Sequence, residues 1–187
     1  MGETQSLANH FLIAMPTLED PNFSQTVTYI CEHKDDGALG IVINRPSDLT
    51  VAELFDHMAI EASGDVNTAA PVYIGGPVQR ERGFVIHSPP GDWDACMAVD
   101  ERIAITTSQD ILEAAARGEG PEDYLVALGY AGWSAGQLEA EMASNAWLSG
   151  PADPEVIFQR DNSERWQAAA ALLGVDLSLL STQGGHA

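Results

Sequence analysis

The stretch Tyr124-Leu125-Val126-Ala127-Leu128-Gly129-Tyr130-Ala131-Gly132-Trp133-Ser134-Ala135-Gly136-Gln137-Leu138-Glu139 decides how this chain is built. Its first eight residues are an apolar, β-forming run and read as a strand, Tyr124–Ala131. Three glycines then read as a turn. Ser134 with Gln137 three residues on has the spacing of a capping box and opens a helix to about Asn145. A strand, a glycine turn and a helix start present free backbone N–H groups, a ready anion site. The same pattern also serves close strand–helix packing that only glycine permits, with the Tyr130 and Trp133 rings as core.

Further short runs bounded by Gly, Pro or charge read as strands: 10–15, 26–32, 39–44, 71–74, 83–87, 96–99, 102–107 and 155–159. Three more stretches read as helices. Thr50 starts one, with Glu53 completing a capping box. Ser108 caps another through Ala116, and Gly118 stops it. Ser163 opens the last, through Trp166 to Gly174. Strands outnumber helices by about two to one and do not alternate with them, which disfavours a doubly wound parallel sheet. The expectation is an α+β fold: one domain over residues 1–187, with a mixed, mostly antiparallel sheet and about four helices on its outside. No repeat or linker-like break divides the chain.

Length and composition fit that reading. A chain of 187 residues with 45% apolar and 19% charged residues is globular and long enough to bury a real core. Eight basic residues against 28 acidic ones give a net charge of -20, and Lys34 is the single lysine. Such a surface repels phosphate backbones and anionic lipid, so direct nucleic-acid or membrane binding is not expected. Two cysteines, Cys31 and Cys96, make no disulfide framework and suit a reducing compartment. The N-terminus has no basic segment, and Phe11–Met15 is too short for a signal sequence or a membrane span. A cytoplasmic protein is expected.

Several clusters bear on chemistry. Cys31-Glu32-His33 has the right donors for zinc or for an activated thiol. On a regular strand, however, Cys31 and His33 share a face without Glu32, and no CxxC or HxxxH spacing supplies further ligands. A buried cysteine and a strand-end histidine held by a hydrogen bond explain them better. No G-x-S-x-G elbow is present. Gly75-Gly76-Pro77 follows a strand and precedes Arg80 and Arg82. Its glycines let backbone N–H groups approach an anion that guanidinium groups would hold, or they make a tight turn with Arg82 paired to an acid. Asn44-Arg45-Pro46 ends an apolar strand, where polar groups converge on clefts. The candidate ligand-binding residues are therefore Asn44, Arg45, Gly75, Gly76, Arg82, Tyr130, Gly132, Trp133 and Gln137, expected on one side of the domain. No catalytic residue, metal ligand or cofactor is assigned.

The order of motifs carries a resemblance. Phe11–Pro16, Tyr29–His33, Gly40–Pro46, Tyr73–Val78, Arg82–His87, Thr106–Ser108, Gly129–Glu139 and Asn145–Leu148 together resemble the AlgH/YqgE family of small bacterial proteins over about residues 7–187. The resemblance implies an α+β class with a strongly curled, barrel-like sheet, and a docked tail at Gly185-His186-Ala187. The family is defined by sequence and fold rather than by a chemistry. It is associated by genetics with regulation of alginate production, and by gene neighbourhood with a Holliday-junction-resolvase-like protein. The expectation for function is a cytosolic, non-enzymatic protein that binds a small anionic ligand or a protein partner as an adaptor. An enzyme acting on an anionic small molecule through an Arg/Gly-lined cleft is the first alternative. A transcriptional regulator acting indirectly is the second.

Overall fold

The computed structural model describes residues 6–64 and 66–184. Its strands are β1 (His10–Ala14), β2 (Val27–Lys34), β3 (Gly37–Val42), β4 (Pro46–Thr50), β5 (Pro71–Ile74), β6 (Val78–Ser88), β7 (Cys96–Ala98), β8 (Ala104–Thr106), β9 (Asp123–Ser134) and β10 (Trp147–Pro151). Its helices are α1 (Val51–His57), α2 (Asp110–Ala116), α3 (Gln137–Ala143), α4 (Pro154–Phe158), α5 (Arg165–Ala171) and α6 (Leu177–Gly184). The expected tail at Gly185-His186-Ala187 lies outside the described residues.

Eight strands run in the order β10-β1-β2-β3-β9-β6-β8-β7 and form a curled half-barrel, with β4 and β5 branching from it. Pairing is antiparallel throughout except between β5 and β9. The long strand β9 is shared by both halves of the sheet. Its first part pairs with β6, from Ser88↔Asp123 to Gly83↔Leu128. Its last four residues pair with β3, from Gly40↔Ala131 to Gly37↔Ser134. Where β3 and β9 diverge, the end of β5 is wedged between them. Gly75 N donates to Leu128 O at 2.8 Å, and Val42 N donates to Gly75 O at 2.8 Å.

The wedge accounts for the glycines. A Cβ on Gly75 would lie 2.3 Å from Gly129 O, and one on Gly76 would lie 2.1 Å from the Tyr130 carbonyl carbon. The turn expected after Ala131 is therefore corrected: β9 runs on through Gly132 to Ser134. Gly129, at φ +81°, bends the strand so that it changes neighbours instead of ending.

The segment expected as a strand at 155–159 is a helix, α4. Asp153 Oδ1 accepts from Glu155 N at 3.0 Å, and Pro154 occupies the first turn, where its missing N–H costs nothing. Strand β4 was not expected; it pairs along β5 at Pro46↔Tyr73 and Thr50↔Pro71. The capping box at Thr50 is present in both directions, each contact 3.2 Å. Gly136, at φ +77°, precedes α3, and Gln137 Oε1 accepts from Ser134 N at 3.0 Å.

Helices cover both faces of the sheet. On one face Phe11, Ile13, Tyr29, Ile41 and Ile86 pack with Val156 and Ile157 of α4, Ala169 and Ala170 of α5, and Leu177 of α6. On the other, α3 places Leu138 with Trp133 and Trp147. There α1 and α2 place Phe55, Ile111 and Leu112 on Val85 and Val126. The two-residue alternation of β1 sorts its side chains accordingly: Phe11 and Ile13 go one way, Leu12 and Ala14 the other.

His87 is fully buried in β6. Its Nδ1 lies 3.0 Å from Pro89 O, an acceptor, so that nitrogen carries the proton. Nε2 accepts from Thr106 Oγ1 at 2.7 Å. The ring is thus held neutral, and burial pushes its pKa below the ordinary histidine value. As pH falls below about 6.5 the unfolded chain takes up a proton that the folded one refuses, so stability drops. Urea midpoints should fall between about pH 7 and pH 5. In His87→Gln, less stable at neutral pH, that fall should be shallower; an unchanged slope would remove His87 as its source.

Candidate functional site

The structure separates the nine candidate residues. Tyr130, Gly132 and Trp133 line an open hollow of about 370 Å³ together with Glu32 and Asp36. Arg82 lines a neighbouring hollow of about 310 Å³ with Phe84 and Cys96, and the two share Glu32 and Leu39. The Arg82 guanidinium carbon sits 5.2 Å from the centre of the Phe84 ring, which meets Tyr130 edge-on at 5.7 Å. These residues do come together. The acids Glu32 and Asp36 weaken that surface as a place for an anion.

The other candidates are occupied by the fold. Asn44 Oδ1 accepts from Val27 N at 2.9 Å, and its Nδ2 donates to Gln25 O at 2.9 Å. Arg45 donates to Pro21 O at 2.6 Å and Ser24 O at 2.9 Å. Burial lowers its pKa, opposed by the charge of Asp20. Both residues brace the loop that carries Phe23 onto Trp133 and Trp147. Gly75 and Gly76 meet backbone, as described. Gln137 spans Ser134 and Glu141, donating to Glu141 Oε2 at 3.0 Å.

Cys31-Glu32-His33 is divided by a β-bulge. The register jumps from Ile30↔Gly40 to Glu32↔Leu39, leaving Cys31 as the extra residue. Cys31 joins the core beneath α4–α6, whereas His33 binds Glu139 of α3 at 3.1 Å and accepts from Leu7 N at 2.9 Å. The shared face expected for Cys31 and His33 is thus corrected: the bulge reverses the alternation between them. Burial drives the Cys31 pKa far above the usual thiol range, so the group stays a thiol and a poor nucleophile. Among the described residues no group of three His, Cys, Asp or Glu could hold a metal ion.

A different arginine is buried at another hollow. Arg165, the first residue of α5, is 5% exposed. Its Nε donates to Arg160 O at 3.1 Å, its Nη1 donates to Ile43 O, and its guanidinium carbon lies 5.2 Å from the centre of the Tyr73 ring. Among the described residues no carboxylate reaches ion-pair distance of it, and Nη2 has no protein partner. Arg165 lines a cavity of about 250 Å³, with Tyr73, Glu122, Asp123, Tyr124, Ile157 and Phe158 in the same wall. Tyr73 comes from β5, Tyr124 from β9, Ile157 and Phe158 from α4. The branch of the sheet and the helices on its face therefore build the cavity together. Arg165 lies in a helix, away from the glycine turns and strand ends where the sequence suggests an anion site. Its one signal was an arginine four residues before Ala169 on the apolar stripe of a helix.

A curled α+β half-barrel with a wedge strand and six short helices defines the class of domain. The chain belongs to the AlgH-like family (DUF179), whose profile matches residues 11–178. A UPF0301 protein of Thioalkalivibrio sulfidiphilus is 59% identical over 187 residues, covering 100% of both chains. Another, of Methylococcus capsulatus, is 54% identical over 184 residues, 98% of each. The solution structure of the AlgH protein from Pseudomonas aeruginosa, 51% identical, superposes with a TM-score of 0.79 over 100% of this chain and 99% of that one. A crystal structure from Corynebacterium diphtheriae, 21% identical, shares the fold at a TM-score of 0.76 over 97% of this chain and 94% of the other. No described helix is long and apolar enough to cross a membrane.

Proposed function

We propose that the protein is a non-enzymatic binding protein whose ligand is a small molecule with an anionic group seated on Arg165. One observation carries this reading: a guanidinium buried to 5% exposure, without a carboxylate partner, opening on a cavity. Burying an unpaired charge costs several kcal/mol. The first residue of a helix adds to that cost, since the dipole there opposes a cation. Two carbonyls and the Tyr73 ring offset part of it. A bound anion supplies what the fold withholds, and the chain's 28 acidic residues make the lack of an internal partner the more telling.

The test is capture from host extract. The full-length protein is incubated with the small-molecule fraction, washed, denatured, and the released species are identified by mass spectrometry. Arg165→Met should lose them. The same change should leave the empty protein about as stable. It gives up two carbonyl contacts at about 1 kcal/mol each and is relieved of a buried charge. No specific species from the wild type, or the same species from Arg165→Met, would reject the reading.

A further inference from the structure

The cavity wall holds more charge than an anion site requires. Beside Arg165 it carries two carboxylates, Glu122 and Asp123. Asp123 Oδ1 accepts from Gln159 Nε2 at 3.1 Å, which steadies the group. Its Oδ2 has no protein partner among the described residues, and Glu122 has none at either oxygen. A simple anion placed here gains Arg165 but meets two like charges within the same small wall. A simple cation gains the carboxylates but meets Arg165. Glu122 is exposed and Asp123 half-buried, so water serves both in the empty site, and a ligand bearing both signs meets every charged group of the wall.

Size and walls narrow it further. A volume of about 250 Å³ corresponds to roughly eight waters at about 30 Å³ each, room for a molecule of on the order of ten heavy atoms. A nucleotide would not fit inside it whole. Ile157 and Phe158 supply apolar surface, which rewards burial of a hydrocarbon group.

We infer that this site takes a free α-amino acid with an apolar side chain. Its carboxylate meets Arg165, its ammonium faces Glu122 and Asp123, and its side chain lies against α4. The inference rests on Arg165 being an anion-binding group and adds the class of ligand. No bond is made or broken; the protein binds the zwitterion as it stands.

The test titrates the full-length protein with each of the twenty free amino acids by thermal shift and calorimetry. The N-acetyl and carboxamide forms of the tightest binder follow. The free form of an apolar amino acid should bind, and each blocked form should bind at least about tenfold more weakly. The double change Glu122→Gln and Asp123→Asn should erase the discrimination against the N-acetyl form while keeping that against the carboxamide. Arg165→Met should do the reverse. An N-acetyl form binding as tightly as the free amino acid overturns the zwitterion and leaves Arg165 as a plain anion site. No binding by any amino acid at about 10 mM, a level at which even millimolar affinities register, overturns the ligand class. Capture from extract, and its dependence on Arg165, then decides the site alone.

Discussion

Alanine at Gly76 should prevent the protein from accumulating in folded form. Its Cβ would stand 2.1 Å from the carbonyl carbon of Tyr130 and 2.4 Å from Ala131 N. Both are backbone atoms of β9, which cannot turn aside as a side-chain end can. Relief would have to come from parting β5 from β9, with loss of the bonds that Gly75 makes to Leu128 and Val42. A cost above about 4 kcal/mol is expected, at the extreme of single substitutions and close to the whole stability of many domains. Gly64→Ala is the control, since a Cβ there has nothing within 4 Å; it should leave the melting temperature unchanged. A folded Gly76→Ala with a melting temperature near that of the parent would mean the wedge is not rigid.

The second large effect is expected at Glu141. Its Oε1 accepts from the indole nitrogens of Trp133 at 3.0 Å and Trp147 at 2.9 Å. Both rings are buried, at 5% and 4% exposure, and meet each other and Phe23 edge-on or tilted at 5.5–6.2 Å. Glu141→Ala leaves two buried donors without an acceptor, at about 1–3 kcal/mol each, and unfastens α3 from β9 and β10. Glu141→Gln keeps an acceptor oxygen and should recover most of the loss. Denaturant unfolding followed by tryptophan fluorescence separates the two. Equal stability of the alanine and glutamine variants would show that packing of the rings, not the carboxylate, holds this corner.

Most of the fold was legible from the chain because its signals are local. The capping box at Thr50 and Glu53 sits in four residues, and β1, β2, β3 and β5 read as short runs between breakers. The misreadings arise where distant contacts decide. The glycines of β9 look like a turn, because nothing near them in sequence reveals that β5 will cross there. The run at 155–159, three β-forming apolar residues between polar ones, reads as a strand, yet Asp153 and Pro154 before it start a helix; the cap outweighs the pattern. The bulge at Cys31 follows from pairing with Leu39 and Gly40 and leaves no trace in Cys31-Glu32-His33 itself. The candidate site was read partly for the same reason. Arg82 and Tyr130 stand in local motifs, and the fold brings them together around Phe84. Arg165 gains its meaning only when β5, β9 and α4 close a cavity around it.

Strand β1 sits between β2 and β10, with Phe11↔Tyr29 on one edge and Phe11↔Gly150 on the other. A chain leaving the ribosome N-terminus first therefore carries one edge of its sheet open through most of synthesis. The pairing that closes it joins residues about 140 positions apart, the slow kind of contact in folding. Until Trp147–Pro151 emerges, the apolar faces of β1 and β2 are exposed to other nascent chains, the condition under which aggregation competes with folding. The 23 of the 28 acidic residues that precede β10 then act on a state the folded protein no longer shows: mutual repulsion keeps unfinished copies apart until β10 arrives.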